Sequence, residues 1–384
     1  MDFYEKSLNT LELPAVLKML AGEAVSESAK ESALKLQPSD DAFEVSRRLG
    51  ETGAAKGMMV THGSPSFSGI KDVRPSLSRA DLGGSLNTRE LLDIARVLQC
   101  ARLVKGYIAD EKHEKTCIDY LFSALHANRF LEEKITSSIV GEDEIADGAS
   151  SELANLRRKI RATSARAREA LNKIISSPSY AKALQEPIIT MRSDRYVVPV
   201  KAEHKGAVPG LVHDISASGA TLFIEPMAAV KANNELRELA AKEKLEIERI
   251  LAELSADCAE HANDISSDYN LLVQLDLIFA KAKLSYAMNA IEPELREKGI
   301  VFRHARHPLL PKDTAVPIDL ELGDSFDTLI ITGPNTGGKT VSLKTIGLLN
   351  IMAQCGLHIP ADDGSGVPVY KNILADIGDE QSIE

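Results

Sequence analysis

Residues 328–340 read Thr-Leu-Ile-Ile-Thr-Gly-Pro-Asn-Thr-Gly-Gly-Lys-Thr, an apolar run that passes straight into the pattern G-x-x-x-x-G-K-[ST]. That pattern calls for a strand, a tight glycine loop and a helix in succession, because its backbone N–H groups must converge on one phosphate. Gly333, Gly337 and Gly338 permit the curl, and Pro334, Asn335 and Thr336 span it. Lys339 is placed to neutralise the β/γ oxygens of a nucleoside triphosphate, and Thr340 to ligate Mg²⁺. Beyond them Val341, Leu343, Ile346, Leu348, Leu349 and Met352 predict a helix whose positive dipole end faces the same phosphates. The expected ligands are ATP and Mg²⁺.

A second signal is a local reversal of charge. The chain carries a net charge of −11, which excludes an evenly basic nucleic-acid surface. Between Ser151 and Lys205, however, twelve Lys and Arg face five Asp and Glu. Within that stretch Leu153, Leu156, Ile160, Thr163, Ala167, Ala170 and Ile174 recur at alternating steps of three and four, the pattern of a helix lying along another helix. Asn234 to Cys258 is the expected partner, through Leu236, Ala240, Ile247, Ile250 and Leu254. Between the two, Pro187 to Met191, Arg195 to Lys201, Gly210 to His213 and Ala220 to Glu225 are short, β-branched and punctuated by turn residues, so they read as a small antiparallel sheet. A sheet at the end of two antiparallel helices is an arm. With 4% aromatic residues and no Trp, base stacking has few platforms, and contact with phosphates is the expected mode.

Several segments together resemble the MutS family. They are Gly333-Pro-Asn-Thr-Gly-Gly-Lys-Thr340, Ile359-Pro-Ala361, and Arg306-His-Pro308 upstream. Asn335-Thr336 and Thr340-Val341, with Arg195-Tyr-Val-Val-Pro-Val-Lys201 and the run Val212 to Pro226, resemble its second bacterial branch. The resemblance covers nearly the whole chain. It implies a dimeric ATPase whose levers carry clamps that close on nucleic acid, with Arg192, Arg195, Lys201 and Lys205 meeting phosphates. It also implies partners: a second copy of the chain, branched or duplex DNA, and the ribosome or its rRNA. The family is associated with suppression of homologous recombination, endonuclease activity through a C-terminal Smr domain, and splitting of collided ribosomes. Alternative readings are a mismatch-repair MutS and a structural coiled-coil ATPase of chromosome maintenance.

The implied fold is mostly α, with a small antiparallel β clamp inserted in a helical lever and core, followed by the first part of an α/β P-loop ATPase domain of ABC type. The expected domains are a helical core at 1–150, a lever arm at 151–262 with its clamp at about 187–226, the returning core at 263–300, and the N-terminal part of the ATPase domain at 301–384. No run of apolar residues ending in Asp-Glu follows the loop, so the catalytic acid is expected beyond Glu384. Asp376 to Glu384 resembles the start of the signature region that reaches the other subunit's γ-phosphate. Asp313 and Thr314 stand where mismatch-repair members tend to carry an aromatic residue for the adenine.

The remaining stretches are read more plainly. Leu11 to Leu36 and Thr88 to Leu121 have helical spacing, Thr61 to Ser85 reads as an irregular linker, and Asp264 to Ala290 as a helix returning to the core. Phe3-Tyr-Glu5 matches the Phe-x-Glu wedge of mismatch-repair members, but so short a pattern is weak evidence, and this chain goes straight into helices where those members carry a mixed α/β recognition domain. Cys100, Cys117, Cys258 and Cys355 lie far apart, giving neither zinc site nor disulfide framework, and read as buried small residues. The histidines lack metal or triad spacing, and His307 alone is kept as a possible neighbour of the nucleotide. With no apolar run of membrane length and no signal pattern at Met1, the expected location is the cytoplasm.

Overall fold

The computed structural model describes residues 3–109, 113–311, 315–333 and 338–377. It is mostly helical with small, chiefly antiparallel sheets. Two compact units are present, one of residues 1–77, 93–132 and 261–384, the other of residues 78–92 and 133–260.

In the second unit the helix Ser151–Ile175 runs out and the helix Met227–Glu260 runs back. Ser150 caps the first by accepting the Leu153 N–H at 2.9 Å, which satisfies one otherwise orphaned donor. Ser150 bonds Glu246, Arg157 bonds Glu243 and Arg166 bonds Glu235, so the two helices are antiparallel. The seam is Leu153, Leu156, Thr163, Ala167 and Leu171 against Leu239, Ile250, Leu254 and Cys258. Leu171 takes the place expected of Ala170, and Leu239 that of Ala240. A straight helix drifts roughly 20° per heptad from a strict seven-residue repeat, so over two to three heptads the buried stripe turns by about half a residue step and comes to favour the adjacent position.

Four strands close the far end in the order Thr190–Arg192, Arg195–Lys201, Thr221–Pro226, Gly210–Ile215, all antiparallel. The first starts later than the spacing predicts, since Pro187 has no N–H to give a ladder. Ser193 at φ 49° and Asp194 at φ 61° make the two-residue turn that the right-handed twist of a hairpin favours. Val198, Val200, Leu222 and Ile224 pack from the sheet onto Ala167, Leu171 and Ala229 of the helices.

In the first unit the helix Ala262–Met288 is buried on several sides. Its fully buried Asp276 accepts the N–H groups of Val25 and Ser26, at 3.1 and 2.7 Å, and the Ser26 hydroxyl at 2.7 Å. Phe279 meets the rings of Phe67, Tyr107 and Phe122 with centroids 5.9–6.3 Å away. Phe67 comes from the stretch read as a linker. That stretch instead buries Phe67, Ile70, Val73 and Leu77 and contains the start of a helix, Arg74–Asp81. Its Gly and Ser content hid apolar anchors spaced too irregularly for a periodicity. The helix expected through Leu121 ends at Lys105, and Cys117 is exposed while the other three cysteines are buried.

One expectation fails at the loop itself. Residues 328–332 form no strand, and Ile330 is 80% exposed. An isolated strand has no ladder partner for its N–H and C=O groups, and no described residue supplies one beside this run. Ile300–Ala305 and Ile318–Leu322 pair with each other instead, in a sheet ordered Glu294–Leu295, Gly366–Val367, Ile300–Ala305, Ile318–Leu322.

Lys281, wholly inside this unit, donates to the Cys355 carbonyl at 2.9 Å, and burial pushes its ammonium down to about 8. Free lysine titrates near 10.4, so between the two values the unfolded chain holds more protons and stability rises with pH; below about 8 the full penalty remains. In urea unfolding at pH 7.5 and 10, the protein is expected to gain about 2 kcal/mol more than its Lys281→Met variant. Parallel pH dependence in the two would contradict this.

Candidate phosphate loop and nucleic-acid interface

The described parts of the loop fit a phosphate cradle. Gly333 sits at φ 148° and Gly338 at φ 80°, and a side chain on either would meet open space. Glycine is therefore required by backbone conformation, not by crowding. Pro334, Asn335, Thr336 and Gly337 lie outside the described residues, as do Asp313, Thr314, the stretch from Gly378 to Glu384 and the Phe3 side chain. Gly338 is the N-cap of the helix Lys339–Gln354. Lys339 and Thr340 open its first turn, with Thr340 exposed. The first-turn N–H groups and the dipole of such a helix favour an anion.

The other end of this helix is fixed. Gly356 at φ 74° ends it, with Leu357 N–H donating to Met352 O at 2.9 Å and Gly356 N–H to Ala353 O at 2.8 Å, a Schellman closure. Lys281 takes the Cys355 carbonyl, and the Thr52 hydroxyl takes that of Gly356 at 2.8 Å. The Gln354 amide donates to Ser39 O and Tyr370 O, at 2.7 and 2.9 Å, and accepts Tyr370 N–H at 3.1 Å. Along the shaft a side chain at Gly347 would lie 2.7 Å from Leu11. Lys344, one turn past Thr340, pairs with Glu12 at 3.3 Å, and Glu12 lies 3.5 Å from Nε2 of His307. His307 is thus buried at the root of the helix, where desolvation pushes its pKa down.

In the other unit the four predicted basic residues have different surroundings. Arg195 is 13% exposed, and its guanidinium donates to Glu225 at 2.8 and 2.9 Å and to Asn234 at 2.9 Å. Glu225 is fully buried and also takes His213 and the Asn233 amide, the latter at 2.7 Å. Asn233 spans the backbone of Tyr196, accepting its N–H and donating to its carbonyl. This carboxylate locks the sheet to the returning helix, and Arg195 is spent within it. Arg192 lies over the Phe223 ring at 4.2 Å and 3.3 Å from Asp214, at the sheet surface. Lys201 and Lys205 make no side-chain bond or ion pair among the described residues. Lys201 N–H donates to Ala183 O at 2.9 Å, which brings Lys182 beside it. The bridge Leu184 to Val200 and the Gln185 N–H bond to Pro199 O at 2.9 Å also fold this segment against the strand, a juxtaposition of Lys182 with Lys201 that spacing along the chain does not show.

A family model described as MutS domain V matches residues 329–384. The chain is 50% identical over 383 residues to "Endonuclease MutS2" of Ruminiclostridium cellulolyticum, covering 99% of this chain and 48% of the relative. It is 48% identical over 384 residues to the protein of that name from Acetivibrio thermocellus and 46% over 383 residues to that from Clostridium botulinum, with the same coverage. The chain spans about half the length of these curated relatives. Among the described residues no helix is long and apolar enough to cross a membrane.

The two kinds of basic residue are separable by mutation. Arg195→Ala leaves a buried carboxylate short of its partner and is expected to cost the arm about 3–5 kcal/mol. Lys182→Ala, Lys201→Ala and Lys205→Ala are expected to change stability by less than about 0.5 kcal/mol each. Thermal melts of the four variants check this; a stable Arg195→Ala would show that the network is not holding the sheet.

Proposed function

This chain belongs to the MutS family, in the branch of its endonuclease MutS2 relatives, and we propose that it is the nucleotide-binding and clamp-bearing part of an ATPase that grips branched DNA. The reading rests chiefly on one observation, the phosphate-loop helix with Gly338 and Thr340 exposed at its start and an anchored C-terminus. Residues 301–384 are the N-terminal part of a P-loop ATPase domain of ABC type in this reading, 151–262 the lever and clamp, and the rest the helical core. Gly333 to Gly338 wrap the β-phosphate of ATP, and Lys339 balances its β/γ charge. Thr340 would hold Mg²⁺, which supplies further charge neutralisation at the phosphates. The positive φ at Gly333 and Gly338, with no described residue within 4 Å of where a side chain would stand, supports the fit.

At the clamp, Arg192, Lys201, Lys205 and Lys182 meet the phosphate backbone, which gives affinity without reading sequence. Arg195 acts one step behind them by holding the sheet. Two copies, each supplying one clamp, enclose the DNA. Ribosomal RNA presents the same phosphate chemistry and serves as the competitor in the test. Endonuclease activity and suppression of recombination belong to the full-length relatives' architecture in this proposal. Turnover by this chain alone is expected to be slow, because the acid that polarises the attacking water is assigned to the part of the relatives it does not span.

Two measurements test the reading. Calorimetric titration with ATP and ADP is expected to show saturable binding that Lys339→Ala weakens at least tenfold; a chain that binds neither nucleotide contradicts it. Titration of a four-way junction across salt concentrations is expected to show a slope that falls by about one for each phosphate-contacting lysine removed. Unchanged affinity and slope in the Lys182, Lys201 and Lys205 variants, or a clear preference for an rRNA fragment over the junction, would turn the clamp assignment over.

A further inference from the structure

Away from the phosphate loop, the first unit carries an open cleft of about 400 Å³ bounded by Gly53, Lys56, Gly57, Tyr286, Glu292 and His358. Its floor is the helix Ala42–His62, which carries glycines at 50, 53 and 57 although each costs a helix interior roughly 0.5–1 kcal/mol. A side chain at Gly53 would meet the tip of the Glu292 carboxylate, which would have to swing away. At Gly57 a side chain would meet nothing within 4 Å. The bareness of Gly57 keeps open both this cleft and an adjoining hollow of about 310 Å³ that holds Glu114.

The cleft contains two acceptors to which no described residue donates: the Ser285 hydroxyl donates to the Ala290 carbonyl at 3.1 Å, so His358 donates to Ser285 through Nδ1 and its Nε2 is left an acceptor. His358 is 2% exposed, its Nδ1 is bonded to the Ser285 hydroxyl at 2.9 Å, and its Nε2 has no hydrogen-bond partner among the described residues. Glu292 Oε2 lies 3.9 Å from that nitrogen. Burial pushes His358 down to about 4 and Glu292 up, which keeps the imidazole neutral at ordinary pH. Two acceptors at this separation cannot bond each other, yet a single nitrogen donating at about 2.9 Å can reach both. An orphaned buried polar atom is costly, so a donor is wanted there.

The other groups narrow the donor's chemistry. Lys56 is committed, with its ammonium 2.6 Å from the Ala290 carbonyl and over the Tyr286 ring at 5.3 Å. That stack covers the aromatic face on which a planar base or guanidinium would lie. Glu292, Asp363 and, in the next hollow, Glu114 make the rim acidic. A slender cation is what remains. We propose that this cleft binds a linear aliphatic amine of the diamine or polyamine class, with a primary ammonium donating to His358 Nε2 and Glu292 and its methylene chain lying along Gly57.

Calorimetric titration of the 384-residue chain with putrescine tests this, with glutarate as the anionic control. Saturable binding of one putrescine per chain and none of glutarate is expected. Glu292→Gln is expected to weaken binding about tenfold or more through loss of the charged acceptor. Gly57→Leu is expected to abolish it by filling the floor, with a thermal melt that does not fall, because its side chain enters open space and a helix-interior glycine is removed. A shift of the His358 Nε2 resonance on adding putrescine is the spectroscopic mark of the new hydrogen bond. Binding that does not saturate, or that survives in both variants, would place the amine on the acidic surface generally and overturn the proposal.

Discussion

The attachment of the helix Lys339–Gln354 by its C-terminal end is the constraint on which the proposed nucleotide site depends. A phosphate loop can hold an anion only if the helix behind it presents its N–H groups to open space. That requires the opposite end to be the buried one. Here the last carbonyls are closed by Gly356, taken by Lys281 and Thr52, and braced by the two-way bonding of Gln354. A buried cation at a helix C-terminus also suits the macrodipole. The cost is the desolvation of Lys281, and the hydrogen bond to Cys355 offsets part of it.

The arm uses a comparable device with the signs reversed. A fully buried carboxylate, Glu225, gathers Arg195, His213 and Asn233 so that the sheet cannot rotate on the returning helix. Buried ion pairs contribute little net stability but penalise alternatives strongly. With the sheet fixed in this way, Lys182, Lys201 and Lys205, which pair with no described residue, lie on a firm surface, as the proposed phosphate-gripping clamp requires.

Much of this was legible in the sequence, for reasons that can be stated residue by residue. The arm was readable because Leu153, Leu156, Thr163 and Ala167 keep a helical period and Arg195 to Lys201 breaks it with β-branched residues. The glycines of the loop were readable because few other patterns need that spacing. The strand at 328–332 was misread because apolar composition specifies burial, not partners, and pairing is a property of other segments. The ion pair of Arg195 was hidden for a similar reason: a charge count cannot show that Glu225, thirty residues on, lies on the neighbouring strand within 2.8 Å of its guanidinium. Phe67 and Leu77 were hidden in a stretch of turn-forming residues, where burial follows no period. His358, set aside as ordinary, owes its orphaned nitrogen to Ser285 and Glu292 on distant segments.

Hydrogen exchange along the helix Lys339–Gln354, with and without ATP, tests the central claim most directly. The account predicts that amides near Ile351 to Gly356 are protected in both states, because their end is anchored. It predicts that amides from Gly338 to about Ser342 exchange readily in the free chain and gain protection with nucleotide. Protection unchanged at that first turn on saturation with ATP, or free exchange around Cys355, would contradict it.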